Sequence, residues 1–381
     1  MKTYRILFTG GGSGGHIYPL VGVLEELYSL AAQGGFQFES YYLGPSHALN
    51  QELAKRGVGI WSITSSKYRS YGSIENILDI PKFIFSLFEA FVKMYMLMPD
   101  VDFSKGGPGA LAVIIMARFY HIPVIIHDSD AVPGLTNRAS ARFAQKIGIA
   151  FAGAAEYFSA KEKLALVGNP IRPEFTGNLP SQSLGRMHFQ LNPQDKVVLV
   201  LGGSLGSTRI NDFILDNLAD ILSLSQLVHQ VGVKNFDQVK TEADVMLQMT
   251  EPLAKHRYKI VSFLEAEEMR NALSAADVVI SRAGAGAIFE IASFGKPAIL
   301  IPLEESANGH QKANAYEYAQ TGAAIVIEEP NLLNTLFMNQ LRRLLESPDI
   351  LKTMSSAALS FAKPKAAQKI AEEILKLTVL A

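Results

Sequence analysis

The 381-residue sequence contains no cysteine, which excludes disulfides and thiolate chemistry and is consistent with a reducing compartment. Charge is scarce and balanced, with 35 Lys and Arg against 36 Asp and Glu, so no global basic field points to nucleic acid as a partner. No run of about 18 uncharged apolar residues occurs, and no membrane-spanning helix is expected. The start, Met1-Lys2-Thr3-Tyr4-Arg5 and a short strand-like run, lacks the apolar segment and cleavage site of a signal peptide, so a cytoplasmic location is expected.

What is present is ample apolar material: 48% of residues are hydrophobic and 19% charged, the balance of a folded globule and not of a disordered chain. The length suits two domains. Short apolar runs alternate with longer helical patterns, as in repeated βα units on a parallel sheet. Strands are expected at 4–9, 36–43, 60–64, 102–104, 124–127 and 147–151. The pattern breaks at Gly168-Asn169-Pro170-Ile171-Arg172-Pro173 and through a polar stretch, 176–194. It resumes with strands at 196–201, 227–231, 259–263, 278–281, 298–302 and 324–327, giving two Rossmann-like domains. A last helical pattern, 364–380, begins at a proline.

Gly10-Gly11-Gly12-Ser13-Gly14-Gly15-His16 sits where the first strand turns into a helix. Without Cβ atoms, backbone amides can approach an anion closely, and the helix N-terminus favours negative charge. Taken alone, such a loop also fits dinucleotide binding or a tight turn. His16 follows the turn at the carboxyl edge of the sheet, where open α/β sheets bind ligands, and can act as a base near neutral pH. The plainer reading is a helix-start histidine bonded to backbone.

Gly202-Gly203-Ser204-Leu205-Gly206-Ser207 repeats the strand, glycine loop and helix at the start of the second domain. Two equivalent loops suggest two phosphate-bearing ligands, and the Ser204 hydroxyl with nearby amides could neutralise a diphosphate leaving group without a metal. Ser281-Arg282-Ala283-Gly284-Ala285-Gly286 is again a glycine turn, with Glu290 about one helical turn in. A carboxylate there can accept both hydroxyls of a ribose, or simply complement the helix dipole. Gln311 and Asn314, three apart on a helix face, carry amides that suit sugar hydroxyls or plain surface exposure. The segment 74–98 is apolar beyond one face, with Lys82 and Lys93 interspersed. It fits a buried helix, or one whose apolar rim docks on a bilayer.

Taken in order, these motifs resemble glycosyltransferase family 28 over nearly the whole chain. The resemblance also draws on Ser104-Lys105-Gly106-Gly107, His127-Asp128-Ser129-Asp130 with Pro133-Gly134-Leu135-Thr136-Asn137, and Gly168-Asn169-Pro170-x-Arg172. It implies an α/β fold of GT-B architecture, two Rossmann-like domains with parallel sheets facing across a cleft. Residues 1–171 would face acceptor and membrane, with the C-terminal helix 364–381 packing back on them, and 172–363 would bind the UDP-sugar. The implied reaction is an inverting transfer of N-acetylglucosamine from UDP-N-acetylglucosamine to the 4-hydroxyl of lipid I, giving lipid II in peptidoglycan synthesis. No metal or other cofactor is implied. The setting would be the cytoplasmic face of the cell membrane, with other cell-wall enzymes as possible partners.

By the family pattern Glu290 takes the ribose, the stretch around Leu264 the uracil, and Gln311 with Asn314 the sugar. Ser204 and the turn of Ala285, Gly286, Ala287, Ile288 and Phe289 take the diphosphate. Arg172, and Ser13, Gly14 and Gly15 beside Asp130, complete the donor site. Gly12, Lys105, Gly106 and Gly107 meet the acceptor diphosphate. His16 is the first candidate for the catalytic base, with His127 and Asp128 as alternatives.

Many family members read His-Glu-Gln-Asn at 127–130 and carry a longer glycine-rich loop with an aromatic at 104–108, while one branch resembles this chain at both. Competing readings are a diacylglycerol glycosyltransferase, separable by acceptor, and a UDP-N-acetylglucosamine 2-epimerase, which needs no lipid. A non-catalytic nucleotide-sugar-binding scaffold would not require Glu290, Gln311 and His16 together. A nicotinamide-dependent dehydrogenase would place an acidic residue about 20 residues beyond the first glycine loop, where this chain has no convincing one.

Overall fold

Continuous apolar runs such as Val124-Ile125-Ile126 and Val197–Leu201 are buried on both faces, the pattern that parallel strands covered by helices require. The computed structural model describes residues 3–65, 74–203, 206–248 and 254–380, so Ser204 lies outside the described residues. The chain divides into two units, Met1–Pro173 with Lys363–Ala381, and Glu174–Ala362.

The first unit holds seven parallel strands: β1 (Thr3–Thr9), β2 (Gln37–Gly44), β3 (Gly59–Ser62), β4 (Val101–Ser104), β5 (Val124–Asp128), β6 (Lys146–Ile149) and β7 (Leu164–Leu166). Their order is β3-β2-β1-β4-β5-β6-β7. The second holds β8 (Val197–Leu201), β9 (Gln226–Gln230), β10 (Tyr258–Val261), β11 (Val278–Ser281), β12 (Ala298–Leu300) and β13 (Ala324–Val326), in the order β10-β9-β8-β11-β12-β13. Both orders reverse beside the first strand of the unit, the doubly wound plan that leaves a crevice at the carboxyl ends of the strands on either side of the reversal. Strand β7 is absent from the sequence reading, because three half-exposed residues at a sheet edge carry too little pattern to register.

Helices cover both faces. Leu20, Leu24 and Leu27 of the helix Gly14–Gly34 pack in one cluster with Ile6 and Phe8 and with Ile370 and Ile374 of the C-terminal helix Ala366–Leu380. That last helix thereby belongs to the first unit. The helix Ile74–Leu97 buries Ala90, Met94 and Leu97 against the opposite face. It leaves Ile84, Phe88 and Tyr95 more than 60% exposed. One face is therefore core, as the buried-helix reading expects, and the other is exposed and apolar. Among the described residues no helix is long and apolar enough to cross a membrane.

Candidate active site

In the first unit the order reverses between β1 and β4, so the loops following these strands, 10–13 and 105–109, border the crevice. The Lys105 backbone N–H donates to the Thr9 carbonyl at 2.8 Å and joins their roots. Gly107 has φ +87°, and a Cβ there would come within 2.9 Å of both the Gly11 nitrogen and His16 Nε2. Only glycine lets the two loops approach this closely. Gly106, also at positive φ, lies equally tight against Asn137, while Gly12 packs against His47.

The helix Gly14–Gly34 starts at Ser13, whose backbone carbonyl accepts from the N–H groups of His16 and Ile17. The amides of Gly14 and Gly15 therefore lie ahead of the helical ladder, as anion donors must. His16 is half-buried, with Nδ1 2.6 Å from the Ser13 hydroxyl. Burial, reinforced by the Lys105 ammonium and opposed by Asp130, lowers the imidazole to about 4. At neutral pH it is an uncharged base.

Lys105, expected to meet acceptor phosphate, is instead turned inward. Its ammonium is buried and donates to His127 Nδ1 at 2.5 Å and to the Ser129 hydroxyl at 2.6 Å, and Ser129 donates on to Asn169 Oδ1. Burial brings this ammonium down to about 8 against the pull of Asp128 and Asp130. His127 is fully buried and its Nε2–H donates to the Gly168 carbonyl at 2.8 Å, so both ring nitrogens are engaged. Burial first and Lys105 second hold that imidazole far below its usual value. Asp128 is buried too, its carboxylate accepting from the Asn137 side chain and from the Asp130 and Gly134 amides; burial raises it to about 6. Of the three base candidates, His16 alone is partly exposed. The Arg172 guanidinium stacks over the Tyr18 ring at 5.5 Å, on the first turns of the same helix.

In the second unit the reversal falls between β8 and β11. The helix Ala285–Ser293 starts at Gly284 without a side-chain cap, and Ile288 N–H is the donor to the Gly284 carbonyl. Of the five turn residues expected at a diphosphate, Ala285, Gly286 and Ala287 offer amides ahead of the ladder, while Ile288 and Phe289 are buried in the core. A Cβ at Gly284 or Gly286 would meet nothing within 4 Å, so the turn opens to solvent. Glu290 lies half-buried on the same helix. Leu264 is buried, with its amide on Gln230 Oε1 at 3.2 Å, and Gln230 Nε2 donates to the Gly203 carbonyl at 3.1 Å. Gln311 accepts from the Leu303 N–H through its side-chain carbonyl, so its amide NH₂ is the group suited to a sugar hydroxyl. Asn314 is fully buried and donates to the Ala283 carbonyl; it ties the helix His310–Gln320 to the turn.

Three contributors escaped sequence reasoning. Arg282 donates to the Ser207 hydroxyl at 2.7 Å and to the Ile301 carbonyl, and pairs with Glu329 at 2.5 Å, tying three loops at the crevice. Gln230 bridges two others; its only signal is an amide closing an apolar strand. Asn137 holds both Asp128 and the His127 carbonyl. A cavity of about 510 Å³ lined by Asn178, Leu184, Met187, His188, Arg270 and Asn271 touches none of these loops. Among the described residues no cluster of three His, Asp or Glu could hold a metal ion.

Two doubly wound units, each with amides ahead of a helix at its switch point, place the chain in the GT-B class of nucleotide-sugar enzymes. The Glycosyltransferase family 28 N-terminal domain matches residues 6–149 and the family 28 C-terminal domain residues 197–373. The chain belongs to glycosyltransferase family 28. It is 34% identical over 346 residues to the Clostridium botulinum UDP-N-acetylglucosamine--N-acetylmuramyl-(pentapeptide) pyrophosphoryl-undecaprenol N-acetylglucosamine transferase, covering 90% of each chain. The Staphylococcus carnosus enzyme of the same name is 34% identical over 375 residues, covering 97% of each. The crystal structure of Acinetobacter baumannii MurG superposes with a TM-score of 0.74 at 26% identity, covering 98% of this chain and 99% of that one.

Proposed function

We propose that this chain transfers N-acetylglucosamine from UDP-N-acetylglucosamine to the N-acetylmuramyl unit of undecaprenyl-pyrophosphoryl-MurNAc-pentapeptide, releasing UDP and forming a β-linked disaccharide. The observation that carries the mechanism is His16, an uncharged imidazole anchored through Nδ1 beside two unladdered amides. With Ser13 accepting from Nδ1–H, His16 Nε2 takes the proton of the acceptor 4-hydroxyl as that oxygen attacks the anomeric carbon from the face opposite UDP. Gly12 and the loop of Lys105, Gly106 and Gly107 receive acceptor phosphate, and Ser13, Gly14 and Gly15 serve the donor.

In the second unit the amides of Ala285, Gly286 and Ala287 stabilise the departing diphosphate, with Ser204 as a further donor. Glu290 accepts from the ribose hydroxyls, the backbone near Leu264 meets the uracil, and Gln311 donates to the sugar. Arg172 and Asp130 line the donor sugar's approach. The names of the 32–34% identical relatives support this donor and acceptor. No metal takes part in this scheme, because amides and a neutral base supply the charge stabilisation and proton transfer.

A polyprenyl acceptor resides in a bilayer. The exposed face of Ile74–Leu97, with Phe119 beside it at 60% exposure, supports peripheral association with the cytoplasmic face of the membrane. The direct test incubates the purified chain with UDP-N-acetylglucosamine and a lipid I analogue, with and without EDTA. Equal release of UDP and disaccharide in both is expected. No disaccharide in either would overturn the activity, and loss with EDTA alone would overturn metal independence.

A further inference from the structure

The inward turn of Lys105 leaves a buried cation held on His127 and Ser129. Its Cβ and that of His16 flank Gly10 at 3.5 and 3.6 Å from where a Gly10 Cβ would stand, which puts the two side-chain roots within about 7 Å of each other. The ammonium itself sits on His127 Nδ1 and the Ser129 hydroxyl. Because a carbonyl only accepts, the Gly168 contact requires a proton on His127 Nε2. In the neutral ring Nδ1 is then the acceptor, and Lys105 the donor.

We infer that Lys105 is a positioning residue for the transfer: by its hydrogen bonds to Nδ1 and Ser129 it holds the His127 ring, whose Nε2–H Gly168 selects, as a buried strut, and by its charge it disfavours a proton on His16. The inference rests on the reading of His16 as the base. The charged and titratable groups around the ammonium are His16 on the Gly14–Gly34 helix, His127 and Asp128 on β5, and Asp130 on the loop that follows. The two carboxylates favour the ammonium, and the two imidazoles are kept neutral by burial first and by the ammonium second.

The test is a histidine NMR titration of the full chain, wild type against Lys105→Met, with no substrate. Wild-type His16 should stay neutral down to about pH 5, in keeping with its value of about 4. In the variant its midpoint should rise by about one pH unit or more, and the His127 Nδ1 signal should shift as it loses its donor while Nε2 stays protonated on Gly168. The acid limb of kcat should move up with the His16 midpoint while KM for the donor stays unchanged. An unmoved His16 midpoint with an unmoved His127 pattern would overturn the inference. A shifted midpoint without a shifted kinetic limb would instead remove His16 from the base role and leave the Lys105 effect standing. Should Lys105→Met not fold, alkaline titration of the wild type serves: the His127 Nδ1 signal should inflect near pH 8, where Lys105 loses its proton, and a flat signal would count against the contact.

Discussion

The Ser13 hydroxyl lies 2.6 Å from Nδ1 of His16, a contact that orients the ring at the first turn of its helix. An imidazole whose Nδ1–H is held by a serine keeps its Nε2 lone pair for the substrate. Replacing His16 with alanine should lower kcat by about 10²–10⁴-fold, the usual contribution of a general base, with donor KM little changed. Ser13→Ala, which frees the ring to rotate and change tautomer, should cost about tenfold by the same logic. Steady-state rates with a lipid I analogue decide the matter, and near-wild-type turnover in His16→Ala would end the assignment.

The pH profile follows from the burial of that imidazole. A histidine lowered from 6.5 to about 4 is unprotonated throughout the range where most enzymes are assayed, so kcat should be flat from about pH 5 to 8 on the acid side. An acid limb near the ordinary histidine value would show that the base is a solvated group and not this one.

Asp102 makes a stability prediction of the opposite sign. Its side chain is fully buried, Thr9 donates to one carboxyl oxygen at 2.5 Å, and the other oxygen has no partner. Burial raises it from 3.8 to about 7. A carboxyl raised in the folded state contributes stability in full below pH 3.8, and that contribution is lost as pH rises through about 7. Asp102→Asn keeps an acceptor for Thr9 and cannot ionise, so relative to wild type it should gain on the order of 2–4 kcal/mol between pH 4 and pH 8. Urea melts at the two pH values measure this difference, and parallel shifts of both proteins would refute it.

The exposed rim of the Ile74–Leu97 helix can be tested apart from catalysis. Ile84 and Phe88 are 62% and 64% exposed, so serine at both should leave folding within about 0.5 kcal/mol per site. Loss of two side chains worth roughly 1.5–3 kcal/mol each on full burial should cut co-sedimentation with vesicles at least tenfold. Turnover of a short-chain, water-soluble acceptor should be unchanged. Undiminished vesicle binding would place the membrane contact elsewhere.

Much of this was legible in the residues themselves. Apolar runs spaced by helical patterns determine two doubly wound sheets because a parallel strand needs both faces covered, and that need writes itself along the chain. Glycine loops between strand and helix announce anion sites for the same local reason, since the turn, the missing Cβ and the helix N-terminus are contiguous in sequence. The order of these motifs carries the family.

What the chain order cannot express is which way a side chain turns once distant strands are neighbours. Lys105 precedes His127 by 22 residues and Ser129 by 24, and only the pairing of β4 with β5 brings it into hydrogen-bond range of them. The same pairing buries His127 and Asp128 and leaves His16 as the reachable base. Asn314 likewise looks available for a ligand in sequence, and tertiary packing commits its amide to the Ala283 carbonyl. Desolvation and the position of neighbouring charges set protonation, and both are properties of three-dimensional surroundings, not of residue type.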